Sequence, residues 1–231
     1  MEEVPPVPSP QPEEPSEESL AFGRWLFAQD CQFIMAAADL NQLPLADLPE
    51  IAFAGRSNVG KSSLVNALTG RNTLARASNT PGRTQQLIFF DLGTQLRLVD
   101  LPGYGYAKAG KSAIRQWTRL TRAFLKGRAS LMRVCLLVDA RHGIKDSDRE
   151  VMKELDDAAV SYQIILTKAD KTKASEQAAL LEATAKEARG HVAAHPEIVL
   201  TSAQENWGID RLRASLSSFA QGAPRNDGPA T

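Results

Sequence analysis

Apolar and polar positions divide the 231-residue chain into short β-rich runs that alternate with longer stretches of helical period. "EIAFAG" (Glu50–Gly55) is a nearly unbroken apolar run, as in a strand buried on both faces, and it feeds a glycine-containing loop. "QQLIFFD" (Gln85–Asp91) and "QLRLVD" (Gln95–Asp100) flank "LGT" and predict a hairpin. "MRVCLLVDA" (Met132–Ala140), "SYQIILTKAD" (Ser161–Asp170) and "EIVLTSA" (Glu197–Ala203) predict three further strands. Helical period follows Lys61, where Leu64, Val65 and Leu68 share a face, and recurs over roughly 111–127, 146–158, 174–189 and 208–220. Strands separated by helices require crossover connections. The pattern therefore predicts an α/β fold: a mainly parallel, six-stranded mixed sheet with helices on both faces and one antiparallel hairpin.

Composition refines the boundaries. Residues 1–19 hold six Glu, six Pro and no Lys or Arg, too few apolar side chains to offset ordering entropy, and read as a disordered acidic arm. Residues 20–48 read as a lead-in element, with "FIMAA" packed before the first core strand; 49–220 form the main domain, and the Gly/Pro-rich 221–231 a flexible tail. The formal net charge of zero hides an asymmetry, because the chain beyond the arm carries 27 basic against 21 acidic residues. No secretory pattern and no apolar run of membrane-spanning length is present, and two cysteines make no disulfide framework. A cytoplasmic protein without membrane association, acting as a monomer, is expected.

Four loops carry the chemistry. Gly55-Arg56-Ser57-Asn58-Val59-Gly60-Lys61-Ser62, followed by Ser63, fits G-x-x-x-x-G-K-[ST] between a predicted strand and a predicted helix. In that setting the backbone N–H groups curl around phosphates, Lys61 reaches the outer phosphates, and the Ser62 hydroxyl suits Mg²⁺. Asp100-Leu101-Pro102-Gly103 ends a strand, where the carboxylate can hold Mg²⁺ through water and the Gly103 amide can sense a γ-phosphate. Thr167-Lys168-Ala169-Asp170 closes another strand. Asp170 can accept both donors of guanine's N1–H and N2–H₂ edge, whereas adenine would leave the carboxylate unpaired, a rejection of about 10⁴-fold. Thr201-Ser202-Ala203 ends the last strand, where a backbone amide can meet guanine O6. Together the four form a GTP site. His191-x3-His195 has zinc-ligand spacing, but Pro196 follows and no Cys or carboxylate motif accompanies it, so no metal is expected there.

These motifs resemble a family. "PEIAFAGRSNVGKSSLVNAL" (Pro49–Leu68), "NTPGRTQ" (Asn79–Gln85), "LVDLPGYGYAK" (Leu98–Lys108), Trp117 and "LTKADK" (Leu166–Lys171) are similar to those of the EngB (YihA/YsxC) members of the TrmE–Era–EngA–EngB group, over roughly residues 22–220. The resemblance implies a P-loop NTPase of the Ras-like G-domain type. It further implies a protein that hydrolyses GTP to GDP and phosphate with Mg²⁺, acts in large ribosomal subunit assembly, and is needed for normal cell division and septation. On the segment Gly82-Arg83-Thr84-Gln85-Gln86 it makes Thr84 the switch threonine, a Mg²⁺ ligand with Ser62 and a catalytic residue with Lys61; Thr80 is the other candidate. Where Ras-type enzymes carry a water-positioning Gln, Tyr104 stands, so slow intrinsic hydrolysis is expected. Asn58 matches the position of an Asn in K⁺-activated relatives, which makes K⁺ a candidate activator. The alternative is a guanine-nucleotide-gated binding module that acts directly on division machinery with little catalysis.

From Leu101 to Val138 there are eight basic residues and no acidic one. Lys111, Arg115, Arg119, Arg122 and Lys126 share one helical face, while Ile114, Trp117, Thr121 and Phe124 share the face that packs on the sheet. Basic residues without acidic partners one turn away suit an anionic partner, the rRNA of a large-subunit precursor.

Overall fold

The computed structural model describes residues 14–71, 86–105 and 119–223. Within them six helices surround a seven-stranded sheet. The elements are α1 (Glu17–Phe27), β1 (Cys31–Ala37), β2 (Glu50–Gly55), α2 (Lys61–Thr69), β3 (Leu87–Leu92), β4 (Leu96–Asp100), α3 (Arg119–Gly127), β5 (Leu131–Asp139), α4 (Asp146–Asp157), β6 (Tyr162–Thr167), α5 (Ala174–Ala188), β7 (Val199–Leu200) and α6 (Ile209–Ser217).

The sheet order is β1-β3-β4-β2-β5-β6-β7. β2 is buried along its whole length and pairs in parallel with both β4 and β5, as its apolar run requires. β3 and β4 form the expected antiparallel hairpin, with Leu92 opposite Leu96. Side chains alternate between two cores. Ile51, Phe53, Cys135 and Leu137 meet α1, α2 and α6, whereas Ala52, Ala54, Leu136 and Val138 meet α3 and α4. The carboxyl ends of β2, β4, β5, β6 and β7 thus gather at one edge, where ligands bind in open α/β sheets.

Two features differ from the sequence reading. The sheet has seven strands rather than six, because "FIMAA" lies in β1, an edge strand antiparallel to β3 with a register shift between Phe33 and Met35. In addition, α1 starts at Glu17, inside the stretch that composition assigns to the acidic arm. The Ser16 side chain caps it by accepting from Ser19 N–H at 3.2 Å, and Glu17 and Glu18 sit in its first turn, where the helix dipole favours acidic groups.

Candidate functional site

Residues 55–63 leave β2 and enter α2 with a geometry set by residue type. At Gly55 an added Cβ would lie 2.8 Å from Val59 Cγ1 and 3.1 Å from the Leu137 carbonyl oxygen, so no other residue fits without displacement. Gly60 caps α2 at φ +107°, a conformation that strains any L side chain. Asn58 occupies φ 64° at an exposed position, which Asn tolerates through its short polar side chain. Lys61, Ser62 and Ser63 form the first turn of α2, whose free N–H groups and dipole make an anion cradle.

The D-x-x-G turn runs beside this loop. Leu101 N–H donates to Phe53 O (3.0 Å), Tyr104 N–H to Gly55 O (3.3 Å) and Ser57 N–H to Tyr104 O (2.9 Å), which extends the β2–β4 pairing past the ends of the strands. Asp100 is buried, and its carboxylate pairs with Lys61 Nζ. The lysine and carboxylate predicted to act at one end of a triphosphate are therefore brought together. Pro102 is half-buried and Gln86 precedes β3, whereas Gly82, Arg83, Thr84 and Gln85 lie outside the described residues.

The base-side loops are hydrogen-bonded to the phosphate loop and to each other. Thr167 Oγ1 donates to Val59 O (2.6 Å), and Lys168 Nζ donates to Asn58 O (2.6 Å) while pairing with Asp139 Oδ2 (2.9 Å). Ala169 N–H donates to Thr201 O (3.0 Å). Asp170 accepts from Ser202 Oγ at 2.7 Å and pairs with Lys171 Nζ at 3.0 Å. The Ser202 hydroxyl, helped by Lys171 and opposed by burial, holds the Asp170 carboxyl below its ordinary value. An ionised acceptor thus faces a cavity of about 200 Å³ whose lining includes Gly60, Ser63, Lys168, Thr201 and Ala203. A larger hollow of about 470 Å³ lies at the opposite end of α2; there Arg213 is spent on Asp210 and on the Leu68 carbonyl.

Several residues here escaped the sequence reading. Gln204 also lines the cavity, beside Lys171 of the LTKADK run. Asp139 holds Lys168, and its place at the end of a strand, like that of Asp100, was the available signal. Burial pushes the Asp139 carboxyl up, but hydrogen bonds from Arg141 and Lys168 more than offset this and leave it well below the ordinary range. Tyr104 is fully buried, and its hydroxyl donates to Asp148 Oδ1 of α4 at 2.9 Å. Burial, and then the Asp148 charge, push the phenol well above its usual value.

The basic helix is described from Arg119 onward, with Thr121 and Phe124 buried as expected; Lys111, Arg115, Ile114 and Trp117 lie outside the described residues. Arg119 and Lys126 are exposed. Arg122 has an acidic partner after all, Glu154 of α4, with Nε 2.9 Å from Oε1. The pairing crosses between helices, so spacing along one helix does not reveal it. His191 Nδ1 lies 2.6 Å from Asp156, and His195 Nδ1 accepts from Glu197 N–H.

The sheet topology and the gathering of these four loops at one edge are those of a P-loop GTPase. A family model described as "50S ribosome-binding GTPase" matches residues 50–168. The probable GTP-binding protein EngB of Rhodospirillum rubrum is 60% identical over 213 residues, covering 90% of this chain and 92% of that protein. The corresponding protein of Cereibacter sphaeroides is 49% identical over 213 residues, covering 92% and 98%. A crystal structure of a probable GTP-binding protein engB shares the fold, with a TM-score of 0.56 at 24% identity over 73% of this chain and 97% of that one. The chain belongs to the EngB family of GTP-binding proteins, and it is a GTPase.

Proposed function

We propose that this GTPase is a Mg²⁺-dependent, nucleotide-gated switch that acts as a monomer in the cytoplasm during assembly of the large ribosomal subunit, and that normal division and septation depend on that work. The observation that carries the reading is the continuity of the D-x-x-G segment with the basic stretch. Tyr104 is bonded to the phosphate loop, and the acid-free residues that begin at Leu101 lead into α3 with exposed Arg119 and Lys126. Among the described residues no helix is long and apolar enough to cross a membrane.

In this reading residues 55–63 bind phosphates, Lys61 reaches the outer ones, and Gly103 senses the γ-phosphate. Asp170 reads guanine, and Lys168 lies along the base and ribose. The hydroxyls of Ser62 and Thr84 are hard oxygen donors of the kind Mg²⁺ selects and would hold it, with the buried carboxylate of Asp100 holding the metal through water. Mg²⁺ bound there neutralises charge on the phosphates. The exposed amide of Asn58 offers an oxygen donor to K⁺. With the Tyr104 side chain committed to Asp148, no Gln-like group from that position orients the attacking water, which supports slow unaided hydrolysis.

Single-turnover GTP hydrolysis, with and without large-subunit precursor particles and in KCl against NaCl, tests the reading. Particle-stimulated turnover is the expected result. Absence of stimulation together with binding to a division protein would favour a gated binding module instead.

A further inference from the structure

Helix α4 touches both the nucleotide edge and the basic helix, through a hydrogen bond in its first turn and an ion pair further along it. At its start, Asp148 accepts from the Tyr104 hydroxyl (2.9 Å) through one oxygen and from Lys145 N–H (2.9 Å) through the other. Six residues on, about 9 Å along the helix axis, Glu154 pairs with Arg122 of α3. Val151, Met152 and Leu155 of the same helix pack in one core with Tyr104, Leu120 and Phe124.

Tyr104 is also tied by its main chain to Gly55 and Ser57 of the phosphate loop, while burial holds the Asp148 carboxyl above its ordinary value against the lowering effect of its bonds from Lys145 N–H and the Tyr104 hydroxyl. Withdrawing the phenol would leave a buried carboxylate short of one donor, which is unfavourable. The bond fixes the Tyr104 side chain to the first turn of α4. A phenylalanine would fill the same space without fixing that register.

We propose that α4 is a coupling strut. Tyr104–Asp148 makes α4 follow the Asp100–Gly105 segment, and Glu154–Arg122 makes α3 follow α4, so the nucleotide state at the phosphate edge is expressed at α3. Tyr104 and Asp148 are positioning residues in this scheme. The inference rests on GTP binding and not on what α3 binds.

Hydrogen–deuterium exchange of the full chain tests it, comparing GDP with a non-hydrolysable GTP analogue. Amides of Arg119–Gly127 are expected to differ in exchange by about threefold or more between the two states, within reach of partly exposed ion-pair energies. Tyr104→Phe and Glu154→Gln should each abolish the difference, and Glu154→Gln should do so with GTP turnover and GDP affinity unchanged. A purely structural role would raise exchange equally in both states and leave their ratio intact. Equal exchange in the wild-type protein, or a full difference retained in both variants, overturns the proposal.

Discussion

Lys168 donates from Nζ to the carbonyl oxygen of Asn58 at 2.6 Å, joining the base-side loop to the phosphate loop across 110 positions of sequence. Both residues adopt left-handed backbone, at φ 59° and 64°, a conformation that costs a non-glycine residue about 1–2 kcal/mol. The contacts that offset this strain are those a nucleotide needs in place before it binds. Asp139 completes the arrangement by holding the lysine from beneath. Phosphate and base sites are therefore preorganised with respect to each other.

Asp139→Asn should release Lys168 and lower GDP affinity about tenfold, the loss of one charge-assisted hydrogen bond. Isothermal titration of GDP and XDP against both proteins checks this. The guanine preference is expected to survive, because Asp170 is untouched.

The same carboxyl sets an acid limit on stability. Held below its ordinary value in the native protein, Asp139 binds protons less readily there than in the unfolded chain. Its contribution is therefore complete above about pH 4 and is lost as pH falls from there toward the native value. Urea unfolding at pH 6 and pH 3 should show a gap between wild type and Asp139→Asn that narrows on acidification.

Base selection should reside in Asp170 and its anchor. Asp170→Asn is expected to shift preference from guanine to xanthine nucleotides, because the amide presents a donor where guanine also presents donors. Ser202→Ala removes the 2.7 Å bond that orients the carboxylate and should weaken GDP binding about fivefold without changing preference. Competition of GDP and XDP for each variant distinguishes the two effects.

Gly55→Ala places a methyl group 2.8 Å from Val59 Cγ1 and 3.1 Å from the Leu137 carbonyl, in a region with no slack. A loss of about 1–3 kcal/mol in urea unfolding, together with weakened GDP binding, is expected because Val59 carries the phosphate loop.

The central architecture was legible because its signals are local. The apolar run of β2, the glycine spacing after it, the polar strand end at Asp100 and the polar turn just past β6 at Asp170 each state their own role. β1 was harder to read. As an edge strand with a register shift it exposes Phe33 and Ile34, and it needs only β3 as a partner, so no clear alternation marks it. Pairings between elements were invisible for a different reason. Nothing near Tyr104 points to Asp148, and nothing within α3 points to Glu154, since both contacts exist only once the helices pack. The buried Glu50, held by Arg128 at 2.5 and 2.9 Å, likewise sat unnoticed inside an apolar run.

Co-sedimentation with large-subunit precursor particles, in GDP and in a non-hydrolysable GTP analogue across a salt series, tests the switch most directly. Binding is expected at least tenfold tighter with the analogue, a coupling of about 1.4 kcal/mol. Arg119→Gln with Lys126→Gln should weaken binding and flatten its salt dependence while GTP affinity stays unchanged. Equal binding in the two nucleotide states, or no binding in either, would contradict a nucleotide-gated role on the ribosome.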